Sequence, residues 1–105
     1  GTHDNDTLCG WYKVLDPEDL KLSQKYMNNA NTSKSEIHWD FIRLALASVA
    51  DLCIIPLQDY LGIGSEARIN TPSTLGNNWR WRMKQGCLTK ELADRIRALT
   101  TLYGR

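Results

Sequence analysis

No apolar run in this sequence approaches the ~20 residues that a membrane-crossing helix requires, and no signal-peptide pattern is read at its start. No segment of this chain is therefore expected to cross a membrane as a helix. A dominant charge is missing too. Thirteen Lys and Arg stand against twelve Asp and Glu, giving a formal net charge of +1 with the bases spread along the chain. Such a balance leaves no electrostatic footprint for nucleic acid or for a membrane surface, and neither is expected as a partner. Cysteines are few: Cys9, Cys53 and Cys87 form an odd set without CxxC spacing, and Cys53 lies inside an apolar run. Reduced thiols and a cytoplasmic setting fit this better than a disulfide framework. The two histidines, His3 and His38, are far apart and lack metal-ligand spacing. No zinc motif, nucleophile elbow, phosphate-binding loop or dinucleotide fingerprint occurs, so neither metal nor cofactor is expected.

What remains is ordinary globular material: 105 residues, 42% hydrophobic and 24% charged, enough for one domain or less. The chain opens at Gly1 inside a polar motif, with no initiator Met. That opening predicts a fragment.

The central stretch is Asp51-Leu52-Cys53-Ile54-Ile55-Pro56-Leu57-Gln58-Asp59. A short run rich in Leu and Ile with polar ends reads as a strand buried on both faces, as in parallel sheets. Pro56 cannot donate to a ladder, so the strand is expected to end near it. Gln58 and Asp59 then fall at the carboxyl end, where ligands bind in α/β sheets and barrels.

Helices flank this strand. Asp16-Pro17-Glu18-Asp19 is a helix start, with a capping side chain, Pro at the first helical position and acids at the positive end of the dipole. This helix is expected to run to about Met27 before 28–32 breaks it. Ser33 and Glu36 form a capping box for a helix at about 35–48. Its apolar stripe (Ile37, Phe41, Leu44, Ala45, widened by Ile42, Leu46 and Val49) implies burial against a sheet. At the end of the chain, Thr89 caps a helix with Leu92, Ile96, Leu99 and Tyr103 on one face, and Gly104 ends it. His38, beside the apolar helix face, reads as a structural or surface residue.

Between Gln58 and Gly86 periodicity fades, and a connection of that length in a compact domain is usually functional. Trp79-Arg80-Trp81-Arg82-Met83-Lys84 interleaves aromatics with bases. It reads more readily as packed tryptophans with solvated or paired arginines than as a nucleic-acid strip. The opening motif Gly1–Thr7 is either a solvated tail or a strand end or loop presenting His3 and Asp4 to a ligand. Local spacing does not choose between them.

Three blocks together resemble the C-terminal part of the 4-α-glucanotransferases, the amylomaltase or disproportionating-enzyme family. They are Gly1-Thr2-His3-Asp4-Asn5-Asp6-Thr7 with Gly10-Trp11, then Ala47–Asp51 running into Ile55–Asp59, then Leu61–Arg68 with Asn70, Pro72 and Asn78–Arg82. The resemblance implies an α/β fold: the C-terminal segment of a (β/α)8 barrel, with the end of strand 7, helices, strand 8, a long active-site loop and a final helix. Residues 1–105 would then be one segment of the catalytic barrel and no complete independent domain. The family moves α-1,4-glucan segments between maltooligosaccharides with retention, which requires a carboxylate nucleophile and a separate acid/base. It uses a third carboxylate against the sugar hydroxyls at the cleavage point, and Asp4 matches that acid. His3, Asn5, Gln58, Asp59 and Asn70 are the implied substrate-binding residues. The nucleophile and acid/base motifs find no match here, so an isolated fragment is expected to be inactive. Where the family usually shows Pro-Gly after the Arg-x-Asn element, this chain has Pro72-Ser73. A glycine at positive φ there would leave Ser73 with a small strain.

The resemblance places the enzyme in the cytoplasm, or in a plastid if it comes from a plant. Association is expected, with the missing N-terminal part of the enzyme or with copies of the chain, because unpaired strand edges and apolar faces need cover. A non-catalytic carbohydrate-binding module that stacks tryptophans on sugar faces is the alternative.

Overall fold

The computed structural model describes residues 2–105. Five helices carry the fold: α1 (Leu8–Lys13), α2 (Pro17–Met27), α3 (Ile37–Leu46), the single-turn α4 (Leu57–Tyr60) and α5 (Lys90–Leu102), with a 3₁₀ turn at Ser65–Ala67. The helix starts follow their capping chemistry. Asp16 accepts from the Asp19 N–H at 3.1 Å with Pro17 opening α2, and Thr89 accepts from the Leu92 N–H at 3.1 Å to open α5. Asn28 (φ +50) ends α2 and Gly104 (φ +70) follows α5, both in the left-handed conformation that closes helices.

Three expectations are corrected. No strand forms among the described residues, and Leu52–Pro56 runs neither helical nor paired. A strand exists by its ladder, and none of the described residues pairs with this segment to supply one. Gln58 and Asp59 accordingly sit inside α4 rather than past a strand end. The expected capping box at the start of α3 is not made either. Ser33 Oγ pairs with Ser35 Oγ at 3.0 Å, while the Glu36 carboxylate turns to Arg95 at 2.8 Å and the helix begins at Ile37. Of the readings left open for the opening motif, the structure has the loop. It forms a turn, with the Asn5 N–H donating to the Thr2 carbonyl at 3.1 Å, and the implied end of strand 7 does not form among the described residues. α1 itself was not anticipated, although Thr7 before an apolar pair is a cap signal. Its hydroxyl accepts from the Gly10 N–H at 3.1 Å.

The core lies where α3 meets α5. Trp39, Ile42 and Leu46 bury against Leu99, with Leu8, Cys53, Ile55, Tyr60, Leu92, Ile96 and Tyr103 around them. Burying Ile42 completely contributes roughly 1.5–3 kcal/mol. Arg95 lies over the Trp39 ring at 4.1 Å, so its ion pair with Glu36 also roofs the core. Outside this cluster much apolar surface stays in water: Leu52 is 74% exposed and Ile54 65%. The radius of gyration, 14.5 Å, exceeds the roughly 13 Å of a compact domain of this size.

Two contacts fix α3 at its ends. Arg105 reaches back to its C-terminus, where Nε donates to the Leu46 carbonyl at 2.8 Å and the guanidinium also donates to Ser48 at 2.9 Å and Ala50 at 2.7 Å. A cation there meets carbonyls that the helix leaves unpaired and the negative end of its dipole. At the other end, the buried His38 ring packs on Gly62, whose φ is +65. A Cβ at position 62 would stand 2.8 Å from His38 Cε1. Burial holds the His38 imidazole below its ordinary 6.5, with Arg95 adding to the effect and Glu36 opposing it.

Arg105→Ala is expected to destabilise the chain by roughly 1–2 kcal/mol, since three charge-assisted bonds vanish at a partly exposed site. Chemical denaturation of both proteins measures it, and an unchanged midpoint refutes the clamp. A pH dependence follows from His38. The unfolded chain binds its proton more readily than the fold does, so this residue's contribution is intact above about pH 6.5 and is lost as pH falls toward the lower folded value. The melting temperature is expected to drop on going from about pH 7.5 to about pH 5, and less steeply in His38→Gln. Parallel slopes for the two proteins count against it.

Candidate active site

The turn at residues 2–5 is held against the segment after the 3₁₀ turn. Arg68 donates to the Asp4 carbonyl at 2.6 Å and, through Nε, to the Asn70 carbonyl at 2.9 Å. Asn70 is thereby oriented to donate its amide to Asp4 Oδ1 at 2.7 Å. His3 Nε2 lies 3.4 Å from the other carboxylate oxygen, both side chains being about half exposed. The result is a carboxylate fixed on one oxygen by an amide and faced on the other by an imidazole, at the edge of a cleft of about 740 Å³.

The expected site residues divide in two. His3, Asp4 and Asn70 come together around one carboxylate, and Asn5 stands beside them on the cleft wall, 3.4 Å from the Thr2 hydroxyl. Gln58 and Asp59 also border the cleft, but both are buried and bonded to backbone. Gln58 Nε2 donates to the Ala67 carbonyl at 3.2 Å. Asp59 Oδ1 accepts from the Leu8 N–H at 2.8 Å, a carboxylate at the positive end of α1. Burial raises the Asp59 pKa above the ordinary carboxylate value, against the lowering effect of the Leu8 N–H. Beside them, Ser65 donates to Asp6 at 2.7 Å. Gly10 is packed so closely on this pair that a Cβ would stand 2.8 Å from the Asp6 carboxylate oxygens.

Arg68, Asp6, Ser65 and Trp79 reach this site without having been singled out for it. Charge and chain distance gave little signal, because Asp4 and Arg68 are 64 residues apart. The loop over the site is built from unusual backbone: Ser73 (φ +61), Asn77 (φ +57) and Trp79 (φ +60) are all left-handed without being glycine. Asn78 braces it by accepting from the Thr71 N–H at 2.9 Å and donating to Thr74 Oγ1 at 3.0 Å. Three of the four tryptophans have an aromatic or cationic neighbour. Trp79 lies on His3 at 4.9 Å, Trp11 meets Phe41 edge-on at 5.4 Å, and Trp39 sits beneath Arg95.

With this geometry in hand, comparison with known proteins places the chain. It superposes over its whole length, with a TM-score of 0.92 and 33% identity, on 21% of an amylomaltase from Streptococcus agalactiae solved in complex with acarbose. The fold is therefore that of one part of an amylomaltase. The sequence agrees: the family model for 4-alpha-glucanotransferase matches residues 1–89, and the chain belongs to that family. It is 45% identical to the chloroplastic/amyloplastic 4-alpha-glucanotransferase of Arabidopsis thaliana, covering all of this chain and 18% of that protein. It is 46% identical to a 4-alpha-glucanotransferase of Synechocystis, all of this chain and 20% of that one. The chain thus spans about a fifth of the length of these relatives.

The left-handed Ser73 stands where the family resemblance has glycine, and the side chain is exposed. Ser73→Gly is expected to stabilise the protein, by about 0.5–1 kcal/mol after allowing for the greater freedom of glycine when unfolded. A thermal-unfolding comparison checks this, and a lower melting temperature in the variant contradicts it.

Proposed function

We propose that the whole protein is a retaining 4-α-glucanotransferase that moves α-1,4-glucan segments between maltooligosaccharides. This chain is read as the C-terminal segment of its (β/α)8 barrel. Asp4 would supply the acid that hydrogen-bonds the sugar hydroxyls at the cleavage point. The observation that carries this reading is the held carboxylate, with Asn70 on one oxygen and His3 facing the other at the edge of an open cleft. Transition-state stabilisation of this kind depends on acceptors already aimed before the reaction, and a carboxylate pinned by an amide needs little reorganisation. The acarbose complex of the amylomaltase supports an oligosaccharide as the ligand class.

Division of labour follows from the chemistry. Retention needs a nucleophilic carboxylate and an acid/base on opposite sides of the scissile bond, and both are assigned to the remaining four-fifths of the enzyme. His3 and Asn5 would contact the same sugar as Asp4. Asn70, Gln58 and Asp59 would shape the site, Asn70 through Asp4 and the other two through the backbone they hold. The remainder of the barrel would cover Leu52 and Ile54 and pair the open edge of Leu52–Pro56.

Asp4→Asn in the full-length enzyme tests the reading. Turnover of maltotriose is expected to fall by about a hundredfold or more, equivalent to about 2.7 kcal/mol, while glucan binding changes little because the contacts tighten in the transition state. Near-normal kcat in that variant rules the assignment out.

A further inference from the structure

We propose that Trp79 is a positioning residue that holds His3 toward Asp4. The inference rests on the reading of Asp4 as the acid at the cleavage point. Its geometry is a three-member row. The Trp79 ring centroid lies 4.9 Å from that of His3, with the planes inclined by 40°, and His3 Nε2 lies 3.4 Å from Asp4 Oδ2. Asn70 already fixes the other oxygen at 2.7 Å. An imidazole that stays about half exposed on a turn keeps several rotamers open, so facing Asp4 requires a wall on one side. The indole face is that wall.

The backbone points the same way. Trp79 has φ +60, a conformation that a bulky aromatic residue rarely adopts. It persists because the Trp79 N–H is bonded to the Ile69 carbonyl at 2.6 Å and the Asn78 side chain braces the preceding loop. Core burial does not account for the arrangement, since Trp79 is 65% exposed. Strained backbone held in place by its surroundings clusters where a side chain must be aimed, and here the side chain is aimed at His3. By contrast Leu75, on the same loop, touches water on all sides at 103% exposure.

Steady-state transfer from maltotriose by the full-length enzyme decides the matter. Trp79→Leu is expected to lower kcat about tenfold with KM within about twofold, and Trp79→Phe to restore most of the rate because it keeps an aromatic face. In a His3→Ala background, Trp79→Leu is expected to remove less than about a further twofold, since its effect passes through a ring already gone. Leu75→Ala leaves kcat unchanged. Should Trp79→Leu not fold, Trp79→Met takes its place, filling the volume without an aromatic face. Full kcat in the Leu or Met variant, or equal losses with and without His3, overturns the proposal. Failure of the underlying reading is separate: it shows as normal turnover in Asp4→Asn, whatever the coupling between Trp79 and His3.

Discussion

The site depends on one long closure, the double donation by Arg68 to the carbonyls of Asp4 and Asn70 at 2.6 and 2.9 Å. Closing a loop of more than sixty residues costs roughly 4 kcal/mol plus a constant, more than one partly exposed bond returns. The chain meets this by making the closure once and using it repeatedly. Leu8 to Asp59, Ser65 to Asp6 and Asn70 to Asp4 all join residues 4–8 to residues 59–70. After the first link forms, the others add little loop entropy, and each keeps most of its own stabilisation. The acid is therefore not a side chain on a tail. It belongs to a small knot of polar bonds with α1 and α4 as its rigid parts.

The hydrophobic side of the fold is only partly closed. Of the apolar residues, the cluster of Trp39, Ile42, Leu46 and Leu99 is buried, whereas Leu52, Ile54, Val49 and Val14 stand more than half exposed. The central apolar run is divided: Cys53 and Ile55 pack against the core, whereas Leu52 and Ile54 face water. A stretch that reads as a fully buried strand is thus only half-buried and forms no strand here.

Legibility in the sequence divided along the same line. Features decided within a few residues were readable: Asp16 and Pro17 opening α2, Thr89 opening α5, the stripe of Leu92, Ile96, Leu99 and Tyr103, and the strain at Ser73 that the family pattern implied. Features decided by remote partners were not. Glu36 left its capping role because Arg95, far along the chain, offered a better-placed cation. Leu52–Pro56 had strand composition and no strand partner among the described residues. Gln58 and Asp59 carry the polarity of ligand contacts, yet Ala67 and Leu8 supply the backbone groups that hold them. Asp4, His3 and Asn70 were nameable from the family resemblance. Arg68, which brings them together, lay in the same matching block and showed its part only through geometry.

The packing of His38 on Gly62 bears on how this sequence can drift over generations. Two independent constraints act at position 62: the imidazole leaves no space for a Cβ, and the backbone turns left-handed at φ +65. A smaller residue at position 38 lifts the first constraint and leaves the second. Variation at the two positions should therefore be lopsided among descendants. Position 38 can change, at the cost of its packing, while 62 stays glycine, and a side chain at 62 becomes tolerable only after the turn following α4 has itself been rebuilt.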